Sequence, residues 1–363
     1  MSSSIGGSLR FTLFGESHGP AIGGVLDGLP AGIAIDLGAV PRQLDRRRPG
    51  GNALATKRDE SDAVEIVSGW RGGMSSGGPL CFLIRNSDSH SSDYDADLPR
   101  PSHADLPSWY RDGGKADMRG GGRFSGRLTA PLVAAGAVAR QILARRGIRI
   151  GAHLLRIGEI EDRPFGESVE ADRFDELAST YIPVLDASVR SKMEGRIEKA
   201  RLSADSVGGA IELACLGIPP GYGEPPFDGV ESALSRWIFA VPGVKALEFG
   251  AGVAFARMAG SEANDPIGMG AGRPLPESNR SGGANGGLTS GAALRLTATM
   301  RPTPSIAVAQ RTVSLSAGRD ADLVVKGRHD PCIAPRAVPV LEAATALCAL
   351  DFLAGFEGRK AFS

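Results

Sequence analysis

The chain has 363 residues with 41 Lys and Arg against 41 Asp and Glu, so its formal net charge is zero. A neutral chain lacks the global positive field that holds nucleic acid, so any basic site must be a local cluster. Its length allows one large domain or two ordinary ones. Glycine, at 50 residues, is about twice its usual share, which indicates many tight turns and close backbone approaches.

The four cysteines are widely spaced and form no CxxC pair, so neither a zinc knuckle nor a disulfide framework is indicated. The first residues lack the basic and apolar regions of a secretory signal, and no apolar run approaches the ~20 residues that span a bilayer. We therefore expect a soluble cytoplasmic protein with reduced thiols and with no membrane or nucleic-acid partner.

Short strands and glycine-rich turns dominate the N-terminal third. The pattern predicts strands at 9–14, 21–25, 64–68 and 79–85, and a helix from about Leu37 that ends near the arginines at 46–48. His18 follows the first strand between glycines, where it either faces a cleft or caps a turn. The three arginines either satisfy the last helix carbonyls or form an anion clamp.

A long polar stretch follows at 86–105, and a loop of this length is usually functional or mobile. Its possible metal ligands are Asp88, His90, Asp93, Asp95, His103 and Asp105. None of them sits in a recognised ligand spacing, so we expect no metal.

The stretch at 119–143 combines a glycine-rich turn that carries Arg119, Arg123 and Arg127 with an apolar helix. Thr129 is a plausible N-cap, and Pro131 fits the first turn. A helix that is apolar all round is buried, so the loop meets the helix start near the core. Free N–H groups and guanidinium forks at that point favour a phosphate or carboxylate site. The alternative, a disordered basic loop, would not run straight into a core helix.

Strands and helices alternate through the rest of the chain. The pattern predicts strands at 148–155, 208–217 and 293–300, and helices at 189–204, 230–239 and 336–352. The glycines at 250–252 lack a βαβ context for a dinucleotide site, and no phosphate-binding P-loop motif is present. No linker separates two halves, so we predict one interwoven α/β (α+β) domain over residues 1–363.

Several loops that are far apart in sequence carry Arg, His or glycine clusters with anion-binding character. From the residues alone, we expect a small molecule that bears phosphate and carboxylate groups. The acid/base candidates are His18, His103 and Asp330.

Five segments, taken in order over nearly the whole chain, resemble the chorismate synthase family. They are GESHG (15–19), LDRRRPG (44–50), RPSHAD (100–105), RGGGRFSGR (119–127) with VAAGA behind it, and GRHDPCIAPRAVPVLEA (327–343).

This resemblance implies the 1,4-anti elimination of phosphate from 5-enolpyruvylshikimate 3-phosphate to give chorismate, the last common step towards the aromatic amino acids. It implies reduced FMN as cofactor without net redox change, because the hydrogen that is lost is not acidic. It also implies a β-α-β sandwich that assembles as a homotetramer. No reductase domain is apparent, so we expect an external flavin reductase, with NADPH acting only as an indirect reductant.

Roles for individual residues also follow from the resemblance. His18 corresponds to the histidine at the flavin N1 and O2 edge, His103 to the acid that meets the departing phosphate, and Asp330 to the carboxylate near flavin N5. Substrate-binding positions are Arg47, Arg100, Ser125, Arg127 and Arg328. FMN-binding positions are Arg123, Phe124, Ser125, Pro242, Gly243, Gly286, Arg301, Pro302, Thr303, Pro304, Ser305 and Arg328.

The chain departs from the family pattern where Leu128 replaces a glutamate and where Leu132 and Ala53 replace arginines. We expect a weaker clamp at that edge, for which Lys57 or Arg58 could compensate. Ser102 also replaces a common glycine. The competing hypotheses are a related enzyme that acts on another anion and a nucleic-acid-binding protein that uses the arginine-rich loops.

Overall fold

The computed structural model describes residues 3–48, 54, 62–87, 95–166, 169–270, 272–325 and 330–363. The strands are β1 (Ser4–Ile5), β2 (Arg10–Gly15), β3 (Ala21–Asp27), β4 (Val64–Ser68), β5 (Trp70–Arg71), β6 (Met74–Ser75), β7 (Leu80–Arg85), β8 (Arg149–Ile157), β9 (Ile160–Glu161), β10 (Gly209–Leu216), β11 (Val244–Phe249), β12 (Ile267–Gly270), β13 (Arg273–Pro276), β14 (Ala284–Asn285), β15 (Leu288–Thr289), β16 (Leu294–Met300), β17 (Gln310–Ser314) and β18 (Arg319–Leu323). The helices are α1 (Ala39–Arg47), α2 (Asp105–Asp112), α3 (Thr129–Arg145), α4 (Asp172–Ala178), α5 (Ala187–Leu202), α6 (Val230–Phe239), α7 (Gly260–Ala263) and α8 (Ala334–Glu357).

Two antiparallel sheets organise the described residues. The first has the order β1-β2-β3-β7-β4 and the second the order β11-β16-β10-β8-β9. In the second sheet Leu213 of β10 lies opposite Leu296 on one side and Ala152 on the other, and all three are buried. Strands β16, β10 and β8 therefore place buried apolar side chains side by side on one face of the sheet.

Helices α3 and α8 form the layer between the sheets. Helix α3 packs on β3 and β7 of the first sheet, helix α8 packs on β8 and β10 of the second, and the two helices pack on each other. Gly136 makes their close approach possible, because a Cβ there would lie 2.3 Å from Cβ of Ala343. This arrangement confirms the predicted mixed α/β class and the β-α-β sandwich.

One large apolar core extends from β2 to the last residues of the chain and includes both sheets and the helix layer. This shared core supports a single domain over residues 1–363, which stays a prediction. Helix α8 corrects one expectation, because α8 and the 3-10 turn after it (Ala334–Phe362) are together long and apolar enough to cross a bilayer. Its most apolar window is 89% buried inside the protein, as in the core helix of a soluble protein.

Some predicted boundaries were wrong. The N-cap of α3 is Leu128 rather than Thr129, whose hydroxyl instead donates to the Gly126 carbonyl at 2.6 Å. Helix α2 and the β17–β18 hairpin were not predicted. Neither has the long apolar periodicity on which sequence prediction depends, since each mixes polar and exposed positions.

A buried ionic group, distant in sequence from the predicted site, links β8 to β10. His153 has no exposed surface, and its Nδ1 lies 3.1 Å from Asp162 Oδ2 while its Nε2 lies 2.9 Å from Glu212 Oε2. Burial alone would lower the pKa of His153, but the two carboxylates outweigh it and raise the pKa above the ordinary 6.5. The protonated imidazole is therefore part of the folded state.

We expect the free energy of unfolding to fall as the pH rises above about 6.5, the pKa of an unfolded histidine. The stabilisation by His153 is complete below that pKa, and it is lost as the pH passes the higher pKa of the folded state. Urea unfolding between pH 6 and 9 checks this, with His153→Gln as the variant that lacks the dependence. Parallel stability curves for the two proteins would contradict the prediction.

Candidate functional site

A cavity of about 360 Å³ opens where α1, the glycine-rich loop, the end of β16 and the start of α8 converge. Its volume lies in the range of small-molecule sites. Its described lining includes the carboxylates of Asp62 and Asp330. The arginines among the described lining residues are Arg47, Arg48, Arg100, Arg127, Arg301 and Arg336. The excess of guanidinium groups over carboxylates favours a ligand with several negative charges.

The glycine-rich loop between α2 and α3 forms one wall of this cavity. Gly120, Gly121 and Gly122 all have positive φ, at 62°, 89° and 53°, which side chains other than glycine rarely adopt. A Cβ at Gly120 would lie 2.4 Å from the His18 ring, and one at Gly121 would lie 3.3 Å from Cε1 of His103. The loop thus lies between His18 and His103 and is in contact with both.

His18 lies in the turn between β2 and β3 and is half-buried. The backbone of this turn is tied to the loop, because Ser17 N donates to the Gly122 carbonyl at 3.2 Å. His18 contacts Gly120 from behind, and it is not itself among the residues that line the cavity. Its placement therefore depends on the loop wall.

His103 lines the cavity, and its orientation is set by Asp105. Its Nδ1 lies 3.0 Å from Asp105 Oδ1, while Arg100 donates to the same carboxylate through Nε at 2.7 Å and Nη2 at 2.8 Å. Burial opposes ionisation of Asp105, but the Arg100 and His103 hydrogen bonds outweigh it and hold its pKa well below the usual range. The carboxylate on Nδ1 leaves Nε2 as the nitrogen that is available to a ligand.

Arg47 and Arg127 both line the cavity, and the carboxylate of Asp62 lies between their guanidinium groups. Arg127 Nε also donates to Asn86 Oδ1 at 3.1 Å. Asn86 in turn donates to the carbonyls of Glu16 and Gly19 at 3.1 and 2.8 Å. Asn86 therefore connects the predicted anion clamp to the turn that carries His18.

Asp330 enters the cavity just before α8 and accepts a hydrogen bond from Arg336 Nη1. Arg336 Nε donates to the Arg47 carbonyl at 2.9 Å, so the same guanidinium also holds the end of α1. Burial opposes protonation of Arg336, but Asp330 and Tyr181 outweigh it and raise the pKa of the guanidinium. Arg336 thus stays charged beside Asp330.

The segment after β16 closes the cavity on the side opposite α1. Arg301 donates through its backbone N to the Gly243 carbonyl at 2.9 Å and through Nη1 to the Ser102 carbonyl at 2.8 Å. Ser102 has a φ of 59°, which explains why a glycine suits this position. The predicted FMN positions that line the cavity are Phe124, Ser125, Pro242, Gly243, Arg301, Thr303, Pro304 and Ser305.

Some predicted residues lie elsewhere. Gly286 lines a separate cavity beside Phe249 and Asp265, so the structure does not bring it to this site. Arg123 pairs with Asp112 at 3.2 Å and is not in the described lining, and Pro302 packs near Gly208 instead. Arg328 lies outside the described residues.

The departures from the family pattern fall in two places. Leu128 is part of the apolar core and Leu132 packs against it, and neither lines the cavity. Their apolar side chains therefore suit their surroundings without removing a charge from the cavity wall. Ala53, Lys57, Arg58 and three of the metal-ligand candidates (Asp88, His90 and Asp93) lie outside the described residues.

Four polar residues hold the predicted ones in place, a role that was not predicted for them from the sequence. They are Asp62, Asn86, Asp105 and Arg336. Asp105 ends the segment RPSHAD and Arg336 lies within GRHDPCIAPRAVPVLEA. Their place in these family segments could have indicated that they belong to the site. Asp62 and Asn86 lie in polar loop sequence, and nothing local distinguishes them from solvated residues.

The sandwich thus brings six described arginines, His103 and Asp330 around one cavity, and this lining favours an anionic small molecule. Residues 9–354 match the family model described as chorismate synthase. A chorismate synthase of Korarchaeum cryptofilum is 44% identical over 354 residues, which cover 96% of each chain. One of Methanococcoides burtonii is 43% identical over 352 residues, covering 96% of this chain and 94% of its own.

A crystal structure of chorismate synthase matches this one with a TM-score of 0.76 and 25% sequence identity, covering 98% of this chain and 96% of its own. The family match, the two relatives and the solved structure agree over nearly the full length. The chain belongs to the chorismate synthase family.

Proposed function

We propose that this protein converts 5-enolpyruvylshikimate 3-phosphate to chorismate and phosphate, in the pathway to the aromatic amino acids. The observation that carries the proposal is the arginine-lined cavity in which Asp105 orients His103. A substrate with one phosphate and two carboxylates matches that excess of guanidinium groups. The elimination breaks a carbon–oxygen bond to phosphate, so we propose a carbon–oxygen lyase.

We propose reduced FMN as the cofactor, and the residues present fit it. The cavity joins arginines that suit a phosphate to a glycine wall that allows close approach of a flat ring. The Thr303 hydroxyl is buried and has no hydrogen-bond partner among the described residues, so it can serve a ligand. When bound, reduced FMN would supply the electron-rich ring that the elimination needs and an acceptor for the hydrogen that is lost.

Proton donation and substrate binding are roles of the chain's own residues. His103 donates a proton from Nε2 to the leaving phosphate, while Asp105 stabilises the imidazolium through Nδ1. Arg47, Arg100, Arg127 and Arg328 bind the substrate anions. From the family resemblance, His18 and Asp330 would serve the flavin, and Arg336 keeps the Asp330 carboxylate in place.

An anaerobic assay with purified protein, the proposed substrate and chemically reduced FMN tests this function, with oxidised FMN as the control. We expect chorismate only in the reduced sample, because the hydrogen that leaves is too weakly acidic for a base alone. Binding of both ligands without turnover would indicate an enzyme of this family that acts on another anion.

We propose an external reductase as the source of reduced flavin, with NADPH acting only through it. In the same anaerobic assay, NADPH and oxidised FMN without the chemical reductant should give no chorismate. Addition of a flavin reductase should then allow turnover. Turnover with NADPH and FMN alone would assign the reduction to this chain.

We propose a homotetramer, as the family resemblance implies, and a cytoplasmic location, as expected from the sequence. Large apolar side chains at the surface support self-association: Phe227 is 85% exposed, Ile267 76% and Met269 75%. Light scattering coupled to gel filtration measures the assembly, and a monomeric mass would exclude it.

A further inference from the structure

Asp62 joins two arginines that come from different parts of the fold. Its Oδ2 accepts a hydrogen bond from Arg47 Nη2 at the end of α1, and its Oδ1 accepts one from Arg127 Nη1 in the turn before α3. The side chains of Asp62, Arg127 and Arg47 are only 1%, 4% and 5% exposed. All three line the main cavity, so the carboxylate lies within the wall and between the two cations.

Without a carboxylate between them, the two guanidinium groups would repel each other in a poorly solvated wall. Burial lowers the pKa of Arg47 to about 10, and Arg336 and Arg127 add to this effect while Asp62 opposes it. Burial also disfavours the ionised form of Asp62, but Arg47 and Arg127 outweigh it and hold its pKa below the usual range. The three groups therefore depend on one another's charge.

The guanidinium N–H groups of Arg47 and Arg127 differ in how many of them are hydrogen-bonded within the protein. Arg127 donates to Asp62 and Asn86, whereas Arg47 Nε is buried and has no hydrogen-bond partner among the described residues. A buried donor without a partner is rare in a folded protein, and at a cavity wall it indicates a ligand. Arg47 thus keeps donor capacity that an anionic group of the ligand can take up.

The backbone at Asp62 also points to a constrained role. Its φ is 47°, in the left-handed region that only glycine, asparagine and aspartate adopt with any ease. Such a conformation persists only where the surroundings hold it, and it is enriched at functional sites. Here the ion pairs to two arginines hold it.

We propose that Asp62 is a positioning residue that sets the spacing and orientation of Arg47 and Arg127, and thereby the affinity for the anionic substrate. It does not touch the reacting atoms. The identity of that substrate rests on the proposed function, whereas the positioning of the two arginines does not.

Charge and geometry make opposite predictions for Asp62→Asn. If only charge mattered, loss of a negative group would make the cavity more positive, and the substrate would bind more tightly. If Asp62 positions the arginines, the two cations move apart and the substrate binds less tightly. Asparagine tolerates the left-handed backbone, so the variant tests the carboxylate rather than the strain.

Glu342 provides a matched control. It is a buried carboxylate, 2% exposed, that accepts hydrogen bonds from Arg46 and Arg140, and none of the three is in the described lining of the cavity. Glu342→Gln therefore removes a buried carboxylate that is also paired with two arginines, but in α8 and outside the described lining of the cavity. Both variants should lower the melting temperature, because each leaves two arginines without their counter-ion: Arg47 and Arg127, which are buried, or Arg46 and Arg140, which are partly exposed.

The experiment measures KM and kcat for 5-enolpyruvylshikimate 3-phosphate under anaerobic conditions and the Kd of FMN. We expect KM to rise by about tenfold or more for Asp62→Asn, with a smaller change in kcat and little change in the FMN Kd. For Glu342→Gln we expect KM close to wild type. An unchanged or lower KM for Asp62→Asn, or an equal rise for Glu342→Gln, would overturn the proposal.

Two additions keep the outcome decisive. If Asp62→Asn does not fold, Asp62→Glu replaces it, because this variant keeps the charge and moves the carboxylate by one methylene. Positioning then predicts a raised KM, and charge alone predicts the wild-type value. If wild-type protein makes no chorismate, the proposed function fails. Calorimetry with inorganic phosphate then tests Asp62 separately. We expect Asp62→Asn to bind phosphate more weakly than wild type, and equal binding would overturn the positioning role of Asp62.

Discussion

Replacement of His103 by alanine should lower kcat by about 10²- to 10⁴-fold, the usual contribution of a general acid, while the Kd of reduced FMN changes only a few-fold. The expectation follows from the geometry at the cavity: Asp105 holds Nδ1 at 3.0 Å and leaves Nε2 for the leaving phosphate. Without the imidazole, phosphate must depart unprotonated, and the loss appears in the chemical step. Single-turnover measurements with pre-bound reduced FMN separate this step from product release.

Tyr110→Ala is the control for His103→Ala. Tyr110 lies in α2, the helix that begins at Asp105, and it is 74% exposed and not in the described lining of the cavity. It should keep the wild-type kcat. Unimpaired turnover by His103→Ala, with the protein folded, would remove His103 from the acid role.

Gly122→Ala should reduce activity by about 100-fold or more while the apolar core stays folded. Gly122 has φ 53° and ψ −130°, a conformation open to glycine, and a Cβ there would lie 2.0 Å from the Asp117 carbonyl oxygen. The loop must shift to relieve this clash. Because the Gly122 carbonyl accepts from Ser17 N, the shift also moves the turn that carries His18.

Gly126→Ala is the matched control from the same loop. Gly126 also lines the cavity, but it has no positive φ, and no atom lies within 4 Å of a Cβ built there, so alanine adds no strain. Circular dichroism and melting temperature should show both variants folded, and activity and FMN binding should separate them. Wild-type activity in Gly122→Ala would show that the loop geometry is not needed for the site.

The elements predicted best from sequence have strong local signals. The strand at 64–68 and the helix at 230–239 were predicted with the bounds of β4 and α6, because alternation or helical periodicity ends at clear turn residues. The end of β16 at Met300 was also predicted, since Pro302 follows two residues later. Edge strand β11 was missed because Lys245 and Ala246 are exposed and interrupt the apolar alternation.

For the site, the motifs predicted which loops would meet, and the structure brings His103, Arg47, Arg127 and Asp330 to one cavity. It leaves Gly286 at a separate cavity, since a glycine cluster by itself carries no information about which ligand it approaches. The significance of Leu128 also changed. In the sequence, Leu128 stands where the family pattern has a charged glutamate, which suggested a weaker anion clamp. In the structure, Leu128 is a buried residue of the apolar core.

The sequence by itself determined the helix that follows the glycine-rich loop, the neutral overall charge with local arginine clusters, and the family resemblance, because each depends on residue types that are near one another in the chain. Only the tertiary structure decided which carboxylate neutralises which arginine. Asp62 is 15 residues from Arg47 and 65 from Arg127, and its role arises from burial between them. Such pairing depends on the packing of α1, α3 and β4, and no local pattern encodes it.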